Sequence, residues 1–327
     1  MSYWLLSGVA VLVGLFLYVI RIPSLKKDIA ARKKAVLVTG AASGIGLQTC
    51  NRLLKDGAFV FACDLNMDAL KKAYQTYPST RVCLIKMDVT LLEDIKAAYN
   101  VVVEELKNGN EKGHINSSLF GLVNCAGIAP LTKNSLVEKQ DEEVQKIYAV
   151  NVFGIERCTR IFYPLLESQQ NSPSSCVINI ASVCGIIAFP FFSHYSATKV
   201  AVVSYSASLR REFMRKKRVR VTCICPGFTN TPIITSCGDK GTDQSAFKDE
   251  IKILESKHLD LLWSPRIMQK PDRVANYIVD CIFSTNNKGK VIVDHFHNRV
   301  VWFFLYHMEP WLYDVATYVA YKLFIRK

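Results

Sequence analysis

The 327-residue chain has little glycine (16) and little proline (11), so it is neither collagen-like nor low-complexity. It lacks any Cys-x-x-Cys pair, and its 11 cysteines are scattered and odd in number. That argues against a secreted disulfide framework or a zinc site, and for reduced, mostly buried thiols. It is short of acidic residues, with 28 Asp+Glu against 41 Lys+Arg and a formal net charge of +13. Half of its residues are hydrophobic and 21% are charged, which excludes a disordered chain. No internal repeat is visible. A chain of this length can bury a large core without staples.

What is present begins at the ends. Tyr3 to Ile20 are 18 residues without a charge. As a helix they reach about 27 Å, just enough for the hydrocarbon core of a bilayer. Tyr3, Trp4 and Tyr18 stand at the edges, where aromatic rings favour the interface. No Lys or Arg precedes the run and no small-x-small cleavage site follows, so an anchor is favoured over a cleaved signal peptide. Arg21, Lys26, Lys27, Arg32, Lys33 and Lys34 follow, which predicts that the downstream side is cytosolic. A shallow or hairpin-like insertion is the alternative. At the other end, residues 300–306 (VVWFFLY) and 313–325 are apolar, separated by His307, Glu309, Pro310 and Asp314. They read as an interfacial helix or a flap over an apolar substrate, or equally as ordinary packing on the core. The basic stretch Arg210 to Arg220 reads as the solvated end of a helix rather than a nucleic-acid site. This divides the chain into an anchor (1–20), a basic linker (21–33), one folded domain (34–297) and an apolar C-terminal segment (298–327).

Between the ends, apolar runs of strand length recur at residues 35–39, 58–63, 82–85, 119–124, 176–181, 219–224 and 291–293. Helical stretches lie between them, among them 47–56, 142–150 and 197–213. This alternation predicts an α/β fold with one parallel sheet and helices on both faces. Residues 168–175 (SQQNSPSS) read as a surface insertion, and residues 235–248 as less ordered.

The first run leads into Thr39-Gly40-Ala41-Ala42-Ser43-Gly44-Ile45-Gly46. Glycines there let the backbone turn sharply and approach a pyrophosphate, and the following helix offers its N-terminal N–H groups to phosphate. Asp64 ends the second strand, 18 residues after Gly46. A carboxylate there can accept bonds from ribose hydroxyls and repels a 2′-phosphate, so NAD is favoured over NADP. Asp88, after the third strand, is placed to meet the adenine edge, or else to cap a helix.

Tyr195 and Lys199 stand at i and i+4, one helical turn apart. A neighbouring ammonium lowers the pKa of a tyrosine, which then can exchange a proton with an alcohol or carbonyl oxygen. Ser182, 13 residues before Tyr195, can hydrogen-bond that oxygen. Asn124-Cys125-Ala126-Gly127 follows another strand with small residues that leave room for a cofactor, and Asn151 is a polar residue in an apolar helical segment.

Taken together, Thr39-Gly40-x-x-x-Gly44-x-Gly46, Asn124-x-Ala126-Gly127, Asn151, Ser182, Tyr195-x-x-x-Lys199 and Pro226-Gly227 resemble the short-chain dehydrogenase/reductase family over about residues 34 to 297. The resemblance implies a Rossmann-type doubly wound parallel sheet of about seven strands. It implies Tyr195 as acid/base, Ser182 as substrate orienter, and Lys199 as the ribose-binding partner that lowers the tyrosine pKa. Asn151 resembles the residue that holds a relay water, and Asn124 the one that ties neighbouring strands and borders the cofactor. Pro226 and Gly227, with Thr229 and Thr231, resemble the loop over the nicotinamide end. With the apolar N-terminus, the chain is similar to membrane-anchored retinol and hydroxysteroid dehydrogenases. That implies a hydrophobic alcohol substrate, a lipid membrane as partner, the endoplasmic reticulum as its place, and a homodimer as an admissible assembly. An NADPH-dependent reductase of keto-lipids, of the 3-ketosphinganine type, and a catalytically idle membrane scaffold are the competing readings. The apolar stretch 186–192 reads as pocket wall or as core packing. The pair His295 and His297 lacks companions for a metal, and the sequon at Asn116 is expected to stay unmodified on the cytosolic side.

Overall fold

The computed structural model describes residues 30–116, 118–129, 141–167, 175–188, 192–216, 219–235, 268–285, 289–295 and 298–300. The expected anchor, residues 168–174 of the expected insertion and the apolar C-terminal segment beyond residue 300 lie outside these; Ser175, the last residue of that expected insertion, is instead buried in a strand. Among the described residues no helix is long and apolar enough to cross a membrane.

Seven strands form one sheet: β1 (Ala35–Thr39), β2 (Phe59–Asp64), β3 (Val82–Lys86), β4 (Leu119–Asn124), β5 (Ser175–Ile180), β6 (Val219–Pro226) and β7 (Lys290–Val293). Their order is β3-β2-β1-β4-β5-β6-β7 and every pairing is parallel. The helices are α1 (Gly44–Lys55), α2 (Met67–Tyr74), α3 (Leu92–Glu111), α4 (Asp141–Tyr148), α5 (Gly154–Glu167), α6 (Ser193–Lys216), the short α7 (Pro232–Thr235) and α8 (Pro271–Ile282).

Strand residues alternate between two cores because successive side chains point to opposite faces. Val36 and Val38 of β1 pack with Cys50, Leu53 and Leu54 of α1 and with Val274 and Ile278 of α8. Ala35 and Leu37 pack on the other side with Ile95 and Val102 of α3 and Phe162 and Leu166 of α5. Fully burying one such leucine or phenylalanine stabilises by about 1.5–3 kcal/mol. With both faces covered, the strands must be continuously apolar, and that explains their reading in the sequence. The chain order reverses between β1 and β4, and an open α/β sheet offers its ligand crevice there, beyond the carboxyl ends of the strands.

One expectation is corrected and one refined. The basic stretch is not wholly solvated: Arg220 lies in β6, and its guanidinium donates to the carbonyls of Cys281 (3.1 Å), Ile282 (2.9 Å) and Ser284. The last carbonyls of α8 have no partners within the helix, so a cation from the neighbouring strand satisfies them. Asn151 sits not in a regular α-helix but in a π turn, Ala149–Phe153, where Gly154 N–H reaches back to Ala149 O. The ten cysteines among the described residues are free thiols, and no cluster there could hold a metal.

Candidate active site

A cavity of about 840 Å³ opens at the carboxyl ends of the strands, a size usual for a cofactor with its substrate. Its floor is the turn after β1. Gly40 has φ +67° and Gly44 φ +53°, the left-handed region that favours glycine. A Cβ on Gly40 would lie 2.9 Å from the Ala126 backbone, and one on Gly46 would collide with the Gly40 carbonyl. The β1–α1 turn, the end of β4 and the start of α1 are therefore packed backbone to backbone. Ser43 precedes α1 with an extended backbone and a side chain that caps nothing, and the first turn of α1 holds no acidic residue. Its N–H groups and positive dipole end are left for an anion. Thr39 Oγ1 accepts from both Cys125 N and Ala126 N at 3.0 Å, holding β4's end against β1.

Asp64 ends β2 with its carboxylate turned to that floor. One oxygen accepts from Ala42 N (3.0 Å) and the other from Asn66 N (2.9 Å). Each oxygen keeps acceptor capacity for a ribose hydroxyl. Among the described residues the cavity lining holds two cations, Lys146 on α4 and Lys199 on α6, neither of them on the β1–α1 turn or at the end of β2. Asp88 also lines the cavity, and its Oδ1 accepts from Thr90 N (2.8 Å) and Thr90 Oγ1 (2.7 Å). It does not cap α3, whose N-cap is Leu91.

At the other end of the cavity lie Ser182, Tyr195 and Lys199. Ser182 follows β5, and its Oγ accepts from Cys184 N at 3.1 Å, which leaves its own proton to donate. Tyr195 and Lys199 share one face of α6, with the Lys199 Nζ 5.4 Å from the centre of the tyrosine ring. The ammonium donates to Ile180 O at 3.2 Å, and burial pushes its pKa below the ordinary 10.5. Burial raises the thiols of Cys125, to about 12, and Cys184. Both stay protonated at neutral pH.

The structure brings together Gly40, Ser43, Gly44, Ile45, Gly46, Asp64, Asp88, Ala126, Gly127, Ser182, Tyr195, Lys199, Pro226, Gly227 and Thr229 on this one cavity. Asn124 and Asn151 are not among its lining residues, and both act from behind. Asn124 Nδ2 donates to Asn179 Oδ1 (2.8 Å) and Thr159 Oγ1 (3.0 Å), joining β4 to β5 and α5. Asn151 accepts from Ile128 N and donates to Ile128 O, both at 2.9 Å, and to Thr198 Oγ1 at 3.2 Å. The π turn supplies the extra residue that swings it inward. A Cβ on Gly127 would stand 3.4 Å from Asn151 Oδ1 and 3.5 Å from Lys199 Nζ, so Gly127 lies between the two groups. Of the stretch 186–192, Ile187 packs on Val183 as core, and Phe192 faces the cavity.

Sequence reasoning missed one wall. Glu142, Gln145, Lys146, Ala149 and Val150 line the cavity from α4 and the π turn. Their spacing of three and four residues marks one helical face, a signal present in the sequence but masked by its mixed polarity. Phe228 and Cys184 were also missed; each neighbours a residue of the expected site.

These groups fit a nicotinamide dinucleotide. The Gly40–Gly46 turn and the start of α1 would hold its pyrophosphate, Asp64 its adenosine ribose, and Lys199 and the Pro226–Thr229 loop its nicotinamide end. The bound nicotinamide would accept or supply the hydride. This chain's own residues would hold the substrate oxygen (Ser182) and move its proton (Tyr195), with Lys199 placing positive charge beside the tyrosine ring.

Comparison with known proteins agrees with this geometry. A family model described as short chain dehydrogenase matches residues 34–241. The chain is 33% identical to estradiol 17-beta-dehydrogenase 2 of Rattus norvegicus over 224 residues, 68% of this chain and 54% of that protein. It is 31% identical to the 3-oxoacyl-(acyl-carrier-protein) reductase FabG of Thermotoga maritima over 214 residues, 64% of this chain and 80% of that one. It is 35% identical to the mitochondrial D-beta-hydroxybutyrate dehydrogenase of Rattus norvegicus over 201 residues, 61% of this chain and 55% of that one. Among solved structures, a 3-ketoacyl-(acyl-carrier-protein) reductase from Brucella melitensis complexed with NADH shares the fold, with a TM-score of 0.66 at 24% identity, covering 81% of this chain and 98% of that one. With a nucleotide-type crevice, Tyr195 one helical turn from Lys199, and these relatives, the chain belongs to the short chain dehydrogenase family of nicotinamide-dependent oxidoreductases.

Proposed function

We propose that the protein is a membrane-anchored, NAD-dependent dehydrogenase of hydrophobic alcohols, of lipid, retinoid or steroid type. The observation that carries the cofactor choice is Asp64, whose carboxylate faces the cavity with no Arg or Lys from the turn beside it. In the oxidative direction Ser182 donates to the alcohol oxygen and the Tyr195 phenolate takes its proton as hydride leaves the same carbon. Lys199 stabilises that phenolate, and Asn151 holds a relay water behind it. Phe192, Val183, Phe228 and Ile233 offer an apolar wall to the substrate. The uncharged stretch Tyr3–Ile20 supports anchoring where lipid substrates concentrate, in the endoplasmic reticulum with the catalytic domain toward the cytosol. The estradiol dehydrogenase among its relatives supports a steroid-sized substrate. We expect a homodimer, which light scattering on detergent-solubilised protein tests.

One reading competes, an NADPH-dependent reductase of keto-lipids; the match to a 3-oxoacyl-(acyl-carrier-protein) reductase supports its direction, reduction of a ketone. A screen of lipid alcohols and ketones on the full chain in detergent, with NAD(H) and NADP(H) in parallel, separates the two. Turnover of ketones with NADPH alone would sink the first reading, and absence of any turnover would leave the membrane scaffold.

A further inference from the structure

We infer that Asp294 is a positioning residue for the cofactor site, whose carboxyl group sets the height of the loop from Pro226 to Thr231 over the nicotinamide end of the cavity. The inference rests on the reading of that cavity as a nicotinamide site. Asp294 directly follows β7 and is fully buried, yet it is not among the residues that line the cavity. A buried carboxyl group is costly unless its oxygens are engaged. Here Oδ1 accepts from His295 N at 2.7 Å and from Asn298 Nδ2 at 3.0 Å, which fixes the plane of the group. Its other oxygen lies against Gly227: a Cβ built on Gly227 would fall inside the Asp294 carboxyl. Only a glycine can lie this low, so carboxyl and backbone define each other's position.

The rest of the loop is gripped from the same side. Gly227 N donates to Val293 O at 3.0 Å. The buried Gln269 donates through Nε2 to the same Val293 O (2.6 Å) and to Thr229 Oγ1 (3.3 Å). Its backbone N–H pairs with Phe228 O (2.9 Å), and its carbonyl with Asn230 N (3.0 Å). Gly227, Phe228, Thr229 and Thr231 all line the cavity. The end of β7 thus carries the roof of the site on Asp294 and Gln269. A reacting group displaced by about 1 Å can lose 100-fold in rate, so a support of this kind matters even though it touches no reactant.

The test is a double-mutant cycle on the full chain in detergent, read by NADH titration, kcat and Tm. Asp294→Ala removes the support and Gly227→Ala pushes the loop off it; each is expected to weaken NADH by about tenfold, the scale of coupling between contacting residues. In the double variant the new methyl fills the space left by the carboxyl, so its loss should be no greater than that of the worse single variant. Asp294→Asn keeps the shape and should hold NADH affinity within about threefold of the wild type. If Asp294→Ala does not fold, Asp294→Ser keeps an acceptor for His295 N while vacating the space beside Gly227, and takes its place in the cycle. Losses that multiply, or a lower Tm with unchanged NADH affinity in the single variants, overturn the role of Asp294. A wild type that binds neither NADH nor NADPH overturns the cofactor reading itself, and this inference with it.

Discussion

The Lys199 ammonium lies 5.4 Å from the centre of the Tyr195 ring, one turn along the same helix, with Ile180 O as its hydrogen-bond acceptor. That spacing puts a positive charge beside the phenol ring.

The first prediction is that Tyr195→Phe keeps the ring and removes the proton carrier. General acid–base catalysis contributes about 10²–10⁴-fold, so kcat should fall at least that far while NADH titrates normally. Near-normal turnover in the purified variant would refute the assignment.

Lys199 separates function from stability. Its pKa in the folded state is below 10.5 because burial disfavours the charged form. Between the two values the unfolded chain binds more protons, so stability rises with pH across that window. The penalty is full below the folded pKa and gone above 10.5. Lys199→Met should remove this pH dependence, leave Tm at neutral pH unchanged or higher, and yet lower activity and move the alkaline rise of alcohol oxidation to higher pH. Thermal melts and pH–rate profiles of the two proteins decide it. A marked fall in Tm at neutral pH would show that the ammonium is a net structural support.

For the cofactor, the wild type should favour NAD over NADP by about tenfold to over a hundredfold, the value of one charged hydrogen bond of roughly 1.5–3 kcal/mol. Asp64→Ala should narrow the ratio, and Asp64→Arg should reverse it if the guanidinium reaches the phosphate. Ala42 N also loses its acceptor in both variants, so some loss with either cofactor is expected. The measurement is kcat/KM for each cofactor across the three proteins, and a wild type preferring NADP would count against Asp64 as the selector.

Asn124 makes a purely structural prediction. Asn124→Ala removes both donors from Asn179 Oδ1 and Thr159 Oγ1, in a buried chain that continues from Asn179 Nδ2 to Ser206 Oγ at 3.0 Å. An unsatisfied buried acceptor costs about 1–3 kcal/mol. In a chain of this size Tm drops by about 1–2 °C per kcal/mol. NADH affinity at low temperature should change little, and a large selective loss of binding would mean that Asn124 touches the cofactor after all.

Attachment is tested by deleting residues 1–20. The truncated protein should become extractable by carbonate or high salt, because the uncharged run is gone. Extraction as resistant as that of the full chain would assign the anchor to residues 300–325. In a translocation assay Asn116 should carry no glycan. A modified Asn116 would place the catalytic domain in the lumen.

The parts of the fold legible in the sequence were those with a local cause. Strands buried on both faces must be apolar throughout, so β1 and β4 appear with their observed ends, and β5 one residue off. The Gly40–Gly46 turn and the Tyr195–Lys199 pair are visible because their geometry is set by neighbours within one turn. Contacts between distant segments were not visible. The π turn at Asn151 depends on Ile128 and Thr198 receiving its side chain. Arg220 turns inward because the carbonyl end of α8 lies beside β6. Gly227 reads as part of a loop over the nicotinamide end, and the sequence gives no sign of the Asp294 carboxyl packed against it. Periodicity and short-range sterics determined which elements form and which residues stand at their ends. Packing decided which of those residues face the cavity and which support it, since a side chain's partner across the sheet leaves no periodic trace along the chain.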